Sequence, residues 1–183
     1  MSVLADTTGL LDRIALSSTQ QRWLRFVVLG SGLAFLALVP AAGGGFHPLL
    51  GGVALVLLAV TVLVPESNAP LGLALYLGGF WVVTVPRTLG VEVLLAATAL
   101  AALHVGCALA SYGPPGLTLD RAFVSVWWRR FAYCLGAAGL VWALAHAVVL
   151  LHLPPSGLAL GAALVVLLGW VTALTVHLVG GRP

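Results

Sequence analysis

The stretch TLGVEVLLAATALAALHVGCALAS, residues 88–111, decides how this chain is to be read. It carries one charge, Glu92, close to its start, and no proline. As an α-helix, residues 88–111 rise about 36 Å, and the hydrocarbon core of a bilayer is ~30 Å thick. A helix that is apolar all round has no face to offer water. Its solvent is lipid, or other apolar helices.

Five more apolar stretches surround this one. Leu24 to about Ala42, Pro48 to Val64 and Pro70 to Val85 precede it, and Phe131–Leu151 and Ser156–Val179 follow. Between them lie Gly43-Gly44-Gly45, Pro65-Glu66-Ser67-Asn68, Pro86-Arg87, Gly113-Pro114-Pro115-Gly116 and Pro154-Pro155. Proline cannot donate a helical hydrogen bond and glycine loosens the backbone, so each cluster ends a helix. Hydrophobic residues make up 61% of the chain and charged residues 7%, against about 25% charged in soluble domains. The expected fold is all-α. It is a polytopic integral membrane bundle of six transmembrane helices over residues 23–183, with spans near 24–42, 48–64, 70–85, 88–111, 131–151 and 156–179. Residues 1–22 read as a cytoplasmic leader. Asp6 and Asp12 interrupt it where a signal peptide needs an apolar run. Val3, Leu4, Leu10, Leu11 and Ile14 recur near helical spacing, which suits a helix lying on the membrane surface.

The third span is short. From Leu71 to Val85 the chain rises only roughly 22 Å as a helix, and Gly78-Gly79 sits near its middle. Charge decides for a crossing. All eight basic residues are arginine. With six spans and the N-terminus inside, Arg13, Arg22, Arg25, Arg121, Arg129, Arg130 and Arg182 are cytoplasmic and Arg87 alone is outside, as the positive-inside rule requires. Both termini are then cytoplasmic. The sequence pI near 9.4 does not mark a nucleic-acid binder, because the arginines are too few and too dispersed to track phosphates. The absence of lysine, with abundant Ala, Leu, Val and Gly, fits a GC-rich bacterial genome and hence a bacterial inner membrane.

The loop 112–130 is the longest polar-containing stretch. Thr118 or Asp120 can cap a helix there. From Arg121 to Arg130 the pattern is amphipathic, with Phe123, Val126 and Trp127 toward lipid. Trp127, Trp128, Arg129 and Arg130 form an interfacial anchor or a contact for a partner, since indoles sit at headgroup level and guanidinium groups meet phosphates. In Pro65–Pro70, Ser67 or Asn68 can cap the third helix with Pro70 in its first turn.

Helices in lipid associate by close packing, and small residues permit it. Thr98, Ala102, Gly106 and Ala110 form one stripe; Gly139, Ala143 and Ala147 another; Gly157, Gly161, Gly169 and Ala173 a third. Gly30 and Ala34 lie on the first span. These rows imply helix packing at Gly106, Gly139, Gly161 and Gly169, and a tight sub-bundle of spans four to six. They serve equally for assembly with other subunits.

Chemistry has few carriers. Glu92 and His146 lie about one turn from the outer ends of spans four and five, with Arg87 and His152 near the same mouth. They form a candidate intramembrane polar pair for ligand binding or proton relay. Against that, Glu92 also suits a helix start, where its charge offsets the dipole. His104, Cys107 and Ser111 share a face of span four, and Cys134 and His177 lie at a similar depth. No metal-ligand spacing joins them, so no metal site and no cofactor is expected. Two cysteines make no disulfide framework. No P-loop, Gly-x-Ser-x-Gly or His-Glu-x-x-His motif occurs, and the chain does not read as an enzyme.

Pro65-Glu66-Ser67, Trp81, His104, Gly113-Pro114-Pro115, Leu119-Asp120-Arg121 and Trp128-Arg129-Arg130 resemble small uncharacterised actinobacterial multi-pass membrane proteins. The resemblance covers about the central 70 residues and carries over no functional residue. The expected function is a non-catalytic membrane subunit or scaffold that joins protein partners or forms a homo-oligomer in the lipid bilayer. The rival is a small transporter or proton-linked channel using Glu92 and His146.

Overall fold

A computed structural model describes residues 18–45, 47–86, 89–112, 120–151 and residue 169. Over these residues the chain is all-α, with five helices: α1 (Thr19–Ala41), α2 (Pro48–Leu63), α3 (Ala69–Thr84), α4 (Val91–Ala110) and α5 (Arg121–Leu150). α1, α4 and α5 are long and apolar enough to cross a membrane. Residues 1–17 of the expected leader 1–22 and, apart from Gly169, the expected sixth span 156–179 lie outside the described residues; the end of the leader, from Thr19, already belongs to α1.

Local chemistry sets the helix ends. The Ser18 hydroxyl accepts from Gln21 N at 3.3 Å and caps α1. At the other end Gly43 takes φ 78°. Its N–H donates to Pro40 O at 3.0 Å, and Gly44 N–H donates to Val39 O at 2.9 Å. This pair of bonds closes a helix C-terminus in the Schellman manner, and the positive φ is why a glycine stands there. Pro48 opens α2, and α3 has Pro70 in its first turn. Ser67 Oγ accepts from Ala69 N at 3.2 Å, so the serine rather than Asn68 supplies the side-chain cap. Asp120 accepts from Ala122 N at 3.3 Å and caps α5.

α1 to α4 close around one apolar core. Val28, Phe35 and Val39 of α1 meet Ala54 and Leu58 of α2, Leu73, Leu77 and Phe80 of α3, and Ala96, Ala99, Leu103 and Cys107 of α4. Phe35 packs on Trp81 with ring centroids 5.5 Å apart. Tyr76 donates its hydroxyl to Leu50 O at 2.8 Å, tying α3 to α2. The helices alternate in direction. Gly106, late in α4, faces Val28, early in α1, and Gly43 after α1 approaches Pro86 after α3. The outer faces carry exposed Leu49, Leu75, Val82 and Val83. Such a girdle invites aggregation in water and is ordinary in lipid.

Three expectations are corrected. Residues 121–130 are not a loop helix set apart from a span beginning at 131. They are the opening turns of one continuous 30-residue helix, because no Pro or Gly interrupts the chain between Asp120 and Cys134. The second helix, at 16 residues, is as short as the third, at 16; each rises about 24 Å. Finally, α4 packs most extensively against α1 rather than α5, and α5 has no buried residue. The expected sub-bundle of spans four to six is thus not centred on the α4–α5 contact, and its sixth span lies outside the described residues apart from Gly169.

Candidate functional site

The start of α4 and the far end of α5 make the most chemically furnished place on the molecule. α4 begins at Val91, with Gly90 as its N-cap, and Glu92 falls in its first turn. The expected helix start at Thr88 is thus early by about one turn, and Glu92 sits at the helix mouth rather than a turn inside it. Its carboxylate folds back against the α-carbon of Gly90. A side chain at Gly90 would collide with it. The negative charge faces the positive end of the α4 dipole, which favours it there.

α5 reaches this mouth through Trp142. Its indole N–H is shared between Leu89 O at 3.0 Å and Gly90 O at 3.2 Å. Leu89 O precedes the helix and has no intrahelical donor, so the indole supplies one. One turn further along α5, His146 stacks on Trp142 with centroids 4.9 Å apart and planes at 27°. His146 Nδ1 is buried with no hydrogen-bond partner. The fold therefore carries Glu92 and His146 to the same end of the α4/α5 pair, with Trp142 as the link. Among the described residues no hydrogen bond or ion pair joins them. Arg87 and His152 lie outside the described residues.

The sulfur and imidazole groups of α4 diverge. His104 is exposed and Cys107 is buried. Ser111 Oγ donates to Ala108 O at 3.0 Å. Cys134 is an exposed free thiol, and His177 lies outside the described residues. Among the described residues no three His, Cys, Asp or Glu side chains gather as metal ligands.

The small-residue positions separate sharply. A Cβ on Gly106 would lie 2.9 Å from Val28 Cγ2, so this glycine is where α1 and α4 touch. Gly139 and Gly169 have open space at that point, and Gly161 lies outside the described residues. Gly30 is also open, while Gly32 is pressed by Leu58, whose Cδ1 would be 2.5 Å from a Cβ. Gly32 is the contact that the Gly30/Ala34 spacing missed. No local signal in the sequence marks it. Trp142 was also missed, although its position four residues before His146 places both on one helix face.

The α5 anchor is a chain of rings. Tyr112 packs on Phe123 at 4.5 Å, Phe123 on Trp127 at 6.4 Å, and Trp128 on Phe131 at 5.3 Å. The Arg130 guanidinium carbon stands 5.1 Å from the Trp127 ring centroid, a cation–π contact. Phe123 thus faces Tyr112 at the end of α4. The chain matches no family model, no curated protein and no solved structure.

Proposed function

We propose that this chain is a non-catalytic membrane subunit or scaffold of a bacterial inner membrane, with both termini cytoplasmic, that assembles with protein partners or with further copies of itself. The observation that supports this reading is the uneven burial. α1 to α4 close on a packed core, whereas α5, just as apolar in its second half, buries none of its residues. It is pinned at its two ends, by Trp142 and by Phe123 on Tyr112. An apolar helix held alongside a finished bundle is a surface for another helix.

The transporter reading has one observation in its favour, the buried and unpartnered Nδ1 of His146. It lacks a path. The buried polar side chains among the described residues are Gln21 and Thr61, and neither titrates near neutrality. Among the described residues no relay of ionisable groups runs inward from Glu92.

The test is a photo-reactive side chain at Val141 or Val149, both exposed on α5, in a tagged copy expressed in its native host. Cells are irradiated, and adducts are purified in gentle detergent and identified by mass spectrometry. A stoichiometric adduct with one protein, or with a second copy, is the expected result. Adducts confined to residues 156–179 of the same chain would show α5 covered internally and would sink the scaffold reading. Glu92→Gln and His146→Gln are expected to leave adduct yield unchanged.

A further inference from the structure

We propose that the end of the bundle where α4 finishes binds anionic phospholipid headgroups at two arginine pairs, Arg22 and Arg25 of α1 and Arg129 and Arg130 of α5. Two contacts place these groups at one end. Val28 of α1 lies against Gly106, one turn from the end of α4. Phe123 of α5 lies against Tyr112, just past that end. Both helices therefore begin where α4 stops.

Their depths also agree. Arg25 is one turn before Val28, about 4.5 Å toward the rim. From Phe123 to Trp142, whose indole meets Leu89 and Gly90, α5 rises about 28 Å, close to the length of α4. On that scale Arg129 and Arg130 lie about 10 Å past Phe123, level with the apolar body of α4. Side chains of a helix lean toward its N-terminus, and for α5 that is toward the rim. An extended arginine recovers roughly 6 Å by snorkelling. The guanidinium groups of Arg129 and Arg130 then return to about the level of Arg25.

What surrounds these charges selects the partner. Arg22, Arg129 and Arg130 are exposed, and no ion pair neutralises any of the four among the described residues. Asp120 is occupied in capping α5. Each arginine pair stands with exposed aromatic rings: Trp23 is 67% exposed and Trp128 is 67% exposed. Trp23 meets Phe26 edge-on at 6.2 Å. Unpaired guanidinium groups beside exposed indoles fit the headgroup layer, where phosphate meets the top of the acyl chains. A soluble acidic protein or RNA would have to enter that layer to reach Arg129 and Arg130.

A second observation points the same way. α2 and α3 have 16 residues each, and at about 24 Å they fall short of a ~30 Å core. A bilayer thinned at this rim fits them. Phosphates held by arginines whose backbone lies about 10 Å past Phe123 would favour such thinning.

The full chain, reconstituted in phosphatidylcholine vesicles, tests the site by tryptophan quenching. Dibrominated phosphatidylglycerol is compared with dibrominated phosphatidylcholine at equal mole fraction. The anionic lipid is expected to bind several-fold more tightly, with the preference shrinking as salt rises. R129Q/R130Q is expected to remove most of that preference, and R129K/R130K to keep most of it. Equal quenching by the two lipids overturns the proposal, as does a wild-type preference that ignores salt. The salt arm stands even if the glutamine variant fails to fold. A preference for the anionic lipid that survives R129Q/R130Q and R22Q/R25Q in folded protein overturns it too.

Discussion

Replacing Gly106 with alanine or leucine should loosen the contact between α1 and α4, and the structure bounds the size of the effect. A Cβ there would stand 2.9 Å from Val28 Cγ2, 3.6 Å from Val27 Cγ1 and 3.7 Å from Val28 N. Carbon atoms rest at about 3.5–4.0 Å, so the first contact is short by roughly 0.6–1 Å. Val28 is 1% exposed and cannot swing aside. α1 and α4 must then separate along their most extensive interface. Overpacking of this kind costs about 1–3 kcal/mol. The better helix propensity of alanine returns about 1 kcal/mol. Gly106→Ala is therefore expected to destabilise by about 0–2 kcal/mol, and Gly106→Leu by about 3 kcal/mol or more. Gly139→Ala is the control. Among the described residues nothing lies within 4 Å of its would-be Cβ, so it should be neutral or gain up to about 1 kcal/mol. The assay is reversible unfolding in mixed micelles, titrated with a denaturing detergent and followed by tryptophan fluorescence. A Val28→Ala change in the same chain should recover part of the Gly106→Ala loss, since the two residues share one contact. If Gly106→Leu unfolds at the wild-type midpoint, or Gly139→Ala costs as much as Gly106→Ala, the reasoning is refuted.

Three further predictions rest on single side chains. Thr61 is fully buried with its hydroxyl unpartnered, so Thr61→Val should be neutral or stabilise by about 1 kcal/mol; a loss of that size in the same unfolding assay would reveal a hidden partner. Trp142→Phe removes the donor to Leu89 O and Gly90 O. It should cost about 1–2 kcal/mol and speed hydrogen exchange at the start of α4, and unchanged exchange there would show the indole bonds to be idle. In folded protein a maleimide should label the exposed Cys134 well before Cys107, which is 4% exposed; equal rates would contradict the packing of α4 against α1.

What was legible in the chain was legible because its causes are local. Pro48, Pro65 and Pro86 stop or start helices by the geometry of one ring. Ser67 and Asp120 cap by reaching a backbone N–H two residues away. The acid of Glu92 sits at a helix start because the dipole favours it there, and sequence alone raised that role. Placement of Glu92 and His146 at one mouth also followed from counting residues along helices of alternating direction. The continuity of α5 was missed for a local reason as well. The polar character of Arg121–Arg130 suggests a change of element, but polarity changes the solvent of a helix without ending it.

The sequence by itself determined that this chain is helical, that its long helices are apolar enough to lie in a membrane, and where most of them begin and end. These follow from composition, helical rise and the chemistry of proline, glycine and short polar side chains. Only the tertiary structure decided which helices are neighbours. Small residues recur at four-residue spacing on nearly every span, so the stripes at Gly106 and Gly139 look alike in one dimension. In three dimensions Gly106 meets Val28, and Gly139 meets nothing among the described residues. In a membrane most of the surface is greasy, hydrophobic burial no longer singles out a face, and the pairing of helices rests on shape, which no local pattern encodes.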